Sequence, residues 1–154
     1  MKRYLCSLVA LGLLVGVTGR AMAQPKYSFS TLDVPGTSPD IIELNGINAS
    51  GQIVGSYNDH GLLLHQGSYT TLDAPGAVNG TVAHGINASG QIVGWYQDAA
   101  FNAHGFLLDN GNYTTLDVPG LVPFGSMGIN DAGQIVGSYI DATGNHGFLA
   151  TPVP

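Results

Sequence analysis

Beyond its first two dozen residues this chain has no cysteine, no arginine and a single lysine, and each shortage closes off a class of chemistry. The one cysteine, Cys6, lies near the N-terminus. Residues 24–154 therefore form no disulfide, offer no thiolate to a metal and carry no thiol nucleophile. Arg3 and Arg20 also precede residue 24, which removes guanidinium clamps for phosphate or carboxylate groups. Lys26 then stands against ten acidic residues, a formal charge of −9. That sign argues against nucleic acid or an anionic membrane as a partner. No stretch keeps a 3.6-residue apolar period, so helix is expected to be nearly absent. Gly-x-Ser-x-Gly elbows, phosphate loops, His-Glu-x-x-His and paired-cysteine motifs are missing as well.

Long apolar runs are equally scarce. The one at Tyr4–Val17 follows Met-Lys-Arg and precedes Ala21-Met22-Ala23, the three parts of a secretory signal peptide. Residues 1–23 read as a cleaved leader, with the cut between Ala23 and Gln24. The run is about 14 residues, short of the ~20 that span a bilayer. No membrane span is expected after cleavage, and residues 24–154 form one domain with a core of its own.

What the chain has in abundance is glycine, 23 residues of it, placed periodically. Gly-Ile-Asn-Ala-Ser-Gly-Gln-Ile-Val-Gly occupies Gly46–Gly55 and Gly85–Gly94, and Gly-Ile-Asn-Asp-Ala-Gly-Gln-Ile-Val-Gly occupies Gly128–Gly137. Each copy is followed by a His-Gly step at His60, His104 or His146. Thr-Leu-Asp-x-Pro-Gly follows the first two at Thr71 and Thr115, and a further copy at Thr31 precedes the first unit. Offsets of 39 and 43, 44 and 42, and 40 and 44 residues define a repeat of about 40 residues.

Each unit reads as four antiparallel strands. Gly-Ile-Asn ends one strand and Gln-Ile-Val-Gly-x-Tyr begins the next, with the Asn-x-x-Gly between them making a tight turn. Apolar runs at 61–64 and 105–108 suggest strands buried on both faces. Tyr69–Asp73 and Tyr113–Asp117 are β-branched and aromatic strands stopped by Pro-Gly, and Asn110-Gly111 marks a two-residue hairpin. The segments 58–59, 97–103 and 140–145 read as variable surface loops. The third unit lacks its fourth strand, whereas Tyr27–Asp33 is a surplus one. An all-β fold of three four-stranded sheets follows, β-propeller-like, with the N-terminal strand pairing with Gly147–Thr151 to close the last sheet. A β-trefoil or β-prism of twelve strands is the alternative. Three blades are few, so a second copy covering the outer faces, a homodimer, is a further expectation.

The combination of Gly-Ile-Asn-x-x-Gly-Gln-Ile-Val-Gly, His-Gly-Phe-Leu and Thr-Leu-Asp-x-Pro-Gly resembles the bacterial extracellular HAF-repeat family over residues 27–151. The family's His-Ala-Phe step stands here as His-Gly-Leu or His-Gly-Phe. The resemblance implies export and repeat architecture, and supplies no catalytic residues. Members often end in a C-terminal sorting tail. Thr151-Pro-Val-Pro154 stands where one would begin, so a released or periplasmic protein is expected.

Among candidate site residues, Tyr57, Tyr96 and Tyr139 end the second strands, and Trp95 and Phe101 cluster near the longest loop. Aromatic faces at loop mouths stack on sugar rings or anchor proteins. His60, His104 and His146 have acids upstream at Asp59, Asp98 and Asp141, but at separations of one, six and five residues, too uneven for a repeated metal set. They read as structural residues bonding neighbouring turns. Asp33, Asp73 and Asp117 read as turn-stabilising carboxylates, with equivalent calcium ligands the competing reading. Otherwise no cofactor is expected. Asn48, Asn79, Asn87 and Asn112 match a glycosylation triplet, which their turn positions already explain. The resulting expectation is a secreted, non-enzymatic β-repeat module binding a glycan or an envelope protein. Two rivals stand beside it: a structural surface protein without small ligand, and a polysaccharide hydrolase or lyase using Asp98 and His104.

Overall fold

A computed structural model describes residues 26–34, 41–117 and 122–153, with side chains given outside 122–126. The expected leader and its cleavage site lie outside the described residues, as do the Pro-Gly stops at 35–36 and 119–120. Contacts divide the chain into residues 1–31 and a larger unit, 32–154. In the first, residues 26–31 have no regular secondary structure.

Among the described residues of the larger unit the structure is all β, without helix, in three antiparallel sheets. The first contains β1 (Ile42–Ile47), β2 (Ile53–Tyr57), β3 (His60–His65) and β4 (Ser68–Leu72) in chain order. The second repeats it with β5 (Thr81–Ile86), β6 (Ile92–Gln97), β7 (Ala103–Asp109) and β8 (Asn112–Thr115). The third has three strands, β9 (Val122–Ile129), β10 (Ile135–Asp141) and β11 (Gly144–Ala150), with β10 central. Among the described residues no closed barrel is formed.

Two expectations are corrected here. Tyr27–Asp33 is not a strand, and among the described residues the third sheet ends at β11. Apolar–polar alternation marks a segment fit to join a sheet, but a strand needs a ladder partner to supply its backbone hydrogen bonds. The segment 140–145, expected to be a loop, is mostly strand. Ile140 pairs with Asn145 and Asp141 with Gly144, leaving Ala142 and Thr143 to turn. Asp141 Oδ1 makes this compact by accepting from the Thr143 amide (2.7 Å) and hydroxyl (2.6 Å).

The motif's turn is built by its asparagine. Asn48 Oδ1 accepts from the Ser50 and Gln52 amides at 3.1 and 3.0 Å, and its backbone carbonyl accepts from Gly51, whose φ is 75°. Glycine takes that left-handed angle without a Cβ clash. Asn87 with Gly90 and Asn130 with Gly133 repeat the arrangement. Asn48 Nδ2 also donates to Gln52 Oε1 at 2.7 Å, the physical reason for glutamine after the glycine.

Side chains alternate along a strand, so each sheet has two apolar faces and the sheets stack through them. β5 lies across β1, β2 and β3, and β9 lies across β5, β6 and β7. Val54, Leu72, Ala74, Ala83, Ile86, Ile92, Phe106 and Leu108 form the buried core between the first two sheets. Val93, Met127 and Ile135 anchor that between the second and third. Backbone approach is close. A Cβ on Gly46 would lie 2.9 Å from the His84 carbonyl oxygen, and one on Gly85 would lie 3.1 Å from that of Met127. The glycine opening each of the first two motif copies is thus where the next sheet's first strand crosses.

Candidate functional site

At the end of each second strand a tyrosine rests on the histidine that opens or begins the third. Tyr57 pairs with His60 and Tyr96 with His104, while Tyr139 is opposite His146. Ring centroids lie 5.5, 5.1 and 5.1 Å apart, the latter two stacked. A carboxylate from the fourth strand's end orients the imidazole: Asp73 lies 2.9 Å from His60 Nδ1, and Asp117 Oδ2 lies 2.8 Å from His104 Nδ1. Asp117 Oδ1 also accepts from the Gly105 amide at 3.2 Å. The repeated His and Asp are therefore one device, a clasp between strands three and four.

The second clasp is the most elaborate. Asp98 Oδ2 reaches His104 Nε2 at 3.3 Å, so the imidazole lies between two carboxylates. The hydrogen bond to Asp117 raises the His104 pKa against the opposing effect of burial, and Asp98 adds to it. Asp98 falls to about 2, chiefly through hydrogen bonds from the Asn102 side chain and amide. The third clasp differs. His146 meets Asp141 Oδ1 at 3.1 Å and the Thr143 hydroxyl at 2.9 Å, both through Nε2. Asp33, expected to be the repeat partner of Asp73 and Asp117, is exposed on a segment that forms no strand. Asp141 is also held at about 2, first by the Thr143 hydroxyl.

The turn carrying Asp98 copies the asparagine turn of the motif. Asp98 Oδ1 accepts from the Ala100 and Asn102 amides at 2.8 Å each, and the Phe101 amide donates to the Asp98 carbonyl. Phe101 thereby occupies the place held elsewhere by Gly51, Gly90 and Gly133. Its φ is 63°, and the residue is 69% exposed. A bulky side chain in the left-handed region is strained, and such strain concentrates at functional positions.

Trp95 does not join this group. It alternates to the opposite face from Tyr96, and its Nε1 donates to His84 Nε2 at 3.0 Å. That bond requires a neutral acceptor nitrogen, consistent with burial lowering the His84 pKa more than Glu43 raises it. Of the five aromatic candidates, the structure ties each tyrosine to a histidine, ties Trp95 to His84, and leaves Phe101 presented. Sequence reasoning did not reveal His84, Asn102 or Asp131, whose Oδ1 accepts from the Ala88 amide at 2.9 Å. Only the match between Asp98-x-x-Phe101-Asn102 and Asn-x-x-Gly-Gln could have flagged the first turn.

A concavity of about 380 Å³ lies where the first strands converge, lined by the steps Asn45–Ile47, His84–Ile86 and Met127–Ile129. Among the described residues no group of three or more His, Cys, Asp or Glu is arranged to hold a metal ion. Comparison of the chain with protein-family models gives no match, and comparison with curated proteins gives none.

Proposed function

We propose that this is an exported, HAF-like β-repeat module whose sheets are propeller-like blades, and that it binds a glycan through the turn at 97–103. The observation carrying this reading is Phe101, an exposed aromatic ring at a strained position that three sister turns give to glycine. Around it, Asp98, Asn102 and His104 supply carboxylate, amide and imidazole groups of the kind that bond sugar hydroxyls, and an exposed ring suits a sugar's apolar face. The test is a glycan array with the purified protein, followed by calorimetry on any retained glycan. Phe101→Asn is expected to weaken binding roughly tenfold or more, as loss of a central aromatic contact does. Retention of no glycan, or equal binding by the variant, overturns the reading.

A second reading draws on the same imidazole. His104 with Asp117 at Nδ1 resembles the orienting pair of a general base, and a polysaccharide hydrolase or lyase would use it. Against this, Asp98 already occupies Nε2 and is itself tied into the turn. Turnover on a polysaccharide panel that disappears in His104→Ala, with a pH–rate profile reporting one imidazole, would favour catalysis over binding.

A further inference from the structure

The two internal sheet interfaces are copies of one another, and each end of the stack presents half of a third. Val54 and Val93 are fully buried beneath the following sheet, whereas their repeat equivalent Val136 is 51% exposed and its cross-strand neighbour Leu149 is 63% exposed. On the opposite side, Ile86 is 8% exposed against the preceding sheet, whereas its equivalent Ile47 is 67% exposed. Leu62 and Leu64 on that face are buried, so the open part is at β1, around Leu44 and Ile47. The crossing glycines agree: a Cβ on Gly46 or Gly85 would meet the next strand's backbone, but one on Gly128 would meet only Val136 Cγ2 at 3.3 Å. So do the asparagines. Asn48 Nδ2 donates to the Asn87 carbonyl at 3.0 Å and Asn87 Nδ2 to that of Asn130 at 3.1 Å, while Asn130 Nδ2 donates within its own turn to Gln134 Oε1.

We propose that a second copy of this chain completes the stack, head to tail. The third sheet of one copy takes the first sheet of the other, with the Asn45 carbonyl over Gly128, Ile47 beside Val136, and Asn130 Nδ2 on the Asn48 carbonyl. Chain order fixes a further contact. In both internal junctions the Thr-Leu-Asp strand precedes the next sheet's first strand, so Tyr27–Asp33 of the incoming copy falls beside β11. Its Tyr27 and Phe29 are 76% and 95% exposed, apolar side chains in need of cover. Asp33 then meets His146 Nδ1, as Asp73 meets His60 and Asp117 meets His104. The third clasp is complete only with the partner's carboxylate. A head-to-tail interface generates rings or filaments. Two copies give six sheets, inside the usual four to eight of a propeller, whereas three give nine.

Sedimentation equilibrium on the purified protein is expected to give a dimer. Val136→Glu and Ile47→Glu, both at exposed positions and checked for an unchanged circular dichroism spectrum, should each weaken it at least about tenfold. Mixed together, they should recover a dimer, because one intact tail remains to meet one intact head. In a Cys6→Ser background, Asp33→Cys mixed with His146→Cys should oxidise to a covalent heterodimer. A monomeric wild-type protein overturns the proposal. So does a mixture that fails to recover dimer, or a disulfide that forms only within single chains carrying both cysteines, the result expected if a chain's own N-terminal segment closes its third sheet.

Discussion

Asn87 donates from Nδ2 to the backbone carbonyl of Asn130, 3.1 Å away and 43 residues later in the chain. The same amide nitrogen donates to Gln91 Oε1, and the side-chain oxygen accepts from the Gln91 amide, so one 3% exposed residue folds its turn and ties two sheets together. Asn130 makes the turn contacts alone. Asn87→Ala removes the inter-sheet bond as well as the turn bonds, whereas Asn130→Ala removes turn bonds alone, so the first should cost about 1 kcal/mol more than the second. Urea denaturation of both variants checks this. Equal midpoint shifts would show that the inter-sheet bond contributes nothing beyond the turn.

A second expectation concerns crowding inside the middle sheet. Gly94 is opposite Ala83 and Phe106, and a Cβ there would clash with the Val82 carbonyl and lie 2.9 Å from the Phe106 ring. Phe106 is 1% exposed and packs on Tyr113 with centroids 5.4 Å apart, so it has nowhere to retreat. Gly94→Ala should cost about 3 kcal/mol or more, and Phe106→Ala about 3–5 kcal/mol through the cavity it leaves. If the double variant proves no worse than Gly94→Ala alone in thermal unfolding, the clash is with that ring.

Two histidines should respond to pH in opposite senses. His104 has a folded pKa above its ordinary 6.5, raised first by Asp117. Its stabilising contribution is complete below 6.5 and is lost as pH rises through the folded value. His84 is displaced downward by burial and accepts from Trp95 while neutral. Its contribution is complete above 6.5 and is lost as pH falls toward its lowered folded value. Asp98, held near 2, adds stability above the ordinary carboxylate value of 3.8 that disappears as pH falls toward 2. NMR titration of the imidazoles should order them His84 below His104. In denaturation at pH 5 and pH 8, His104→Gln should lose more relative to wild type at pH 5, and the reverse result would contradict the assignment.

Much of this was legible in the sequence because the repeat wrote it three times. Glycine at fixed spacing, Asn-x-x-Gly-Gln, and the β-branched strands located eleven of the twelve expected strands and nearly all the turns. Tyr27–Asp33 misled for a physical reason. Its pattern is that of β4 and β8, but pattern specifies a surface and not the neighbour that must pair with it. The histidine–aspartate clasps escaped assignment because the partners are 13 residues apart across a strand pair, whereas reading along the chain draws attention to the acid just upstream. At His104 both acids bind, and at His146 the upstream one does. Trp95 clusters with Phe101 along the chain, near the longest loop, but alternation on the strand turns it to the face opposite Tyr96, where it bonds His84.

The last expectation separates folding from function at Phe101. Its backbone sits at φ 63°, beside values of 75°, 81° and 74° for the glycines of the three sister turns. Asn58 and Asn110 already hold φ values of 48° and 49° in other turns of this chain, the side chain best suited to that region after glycine. With 69% of Phe101 exposed, little burial is forfeited on replacement. Phe101→Asn should therefore stabilise the fold, by about 0.5–1 kcal/mol, while it weakens glycan binding. A residue kept for packing would instead lose stability on replacement and leave glycan binding unchanged. Thermal unfolding and calorimetry on the same preparation measure both quantities, and a variant less stable than wild type would show that the phenyl ring serves the fold.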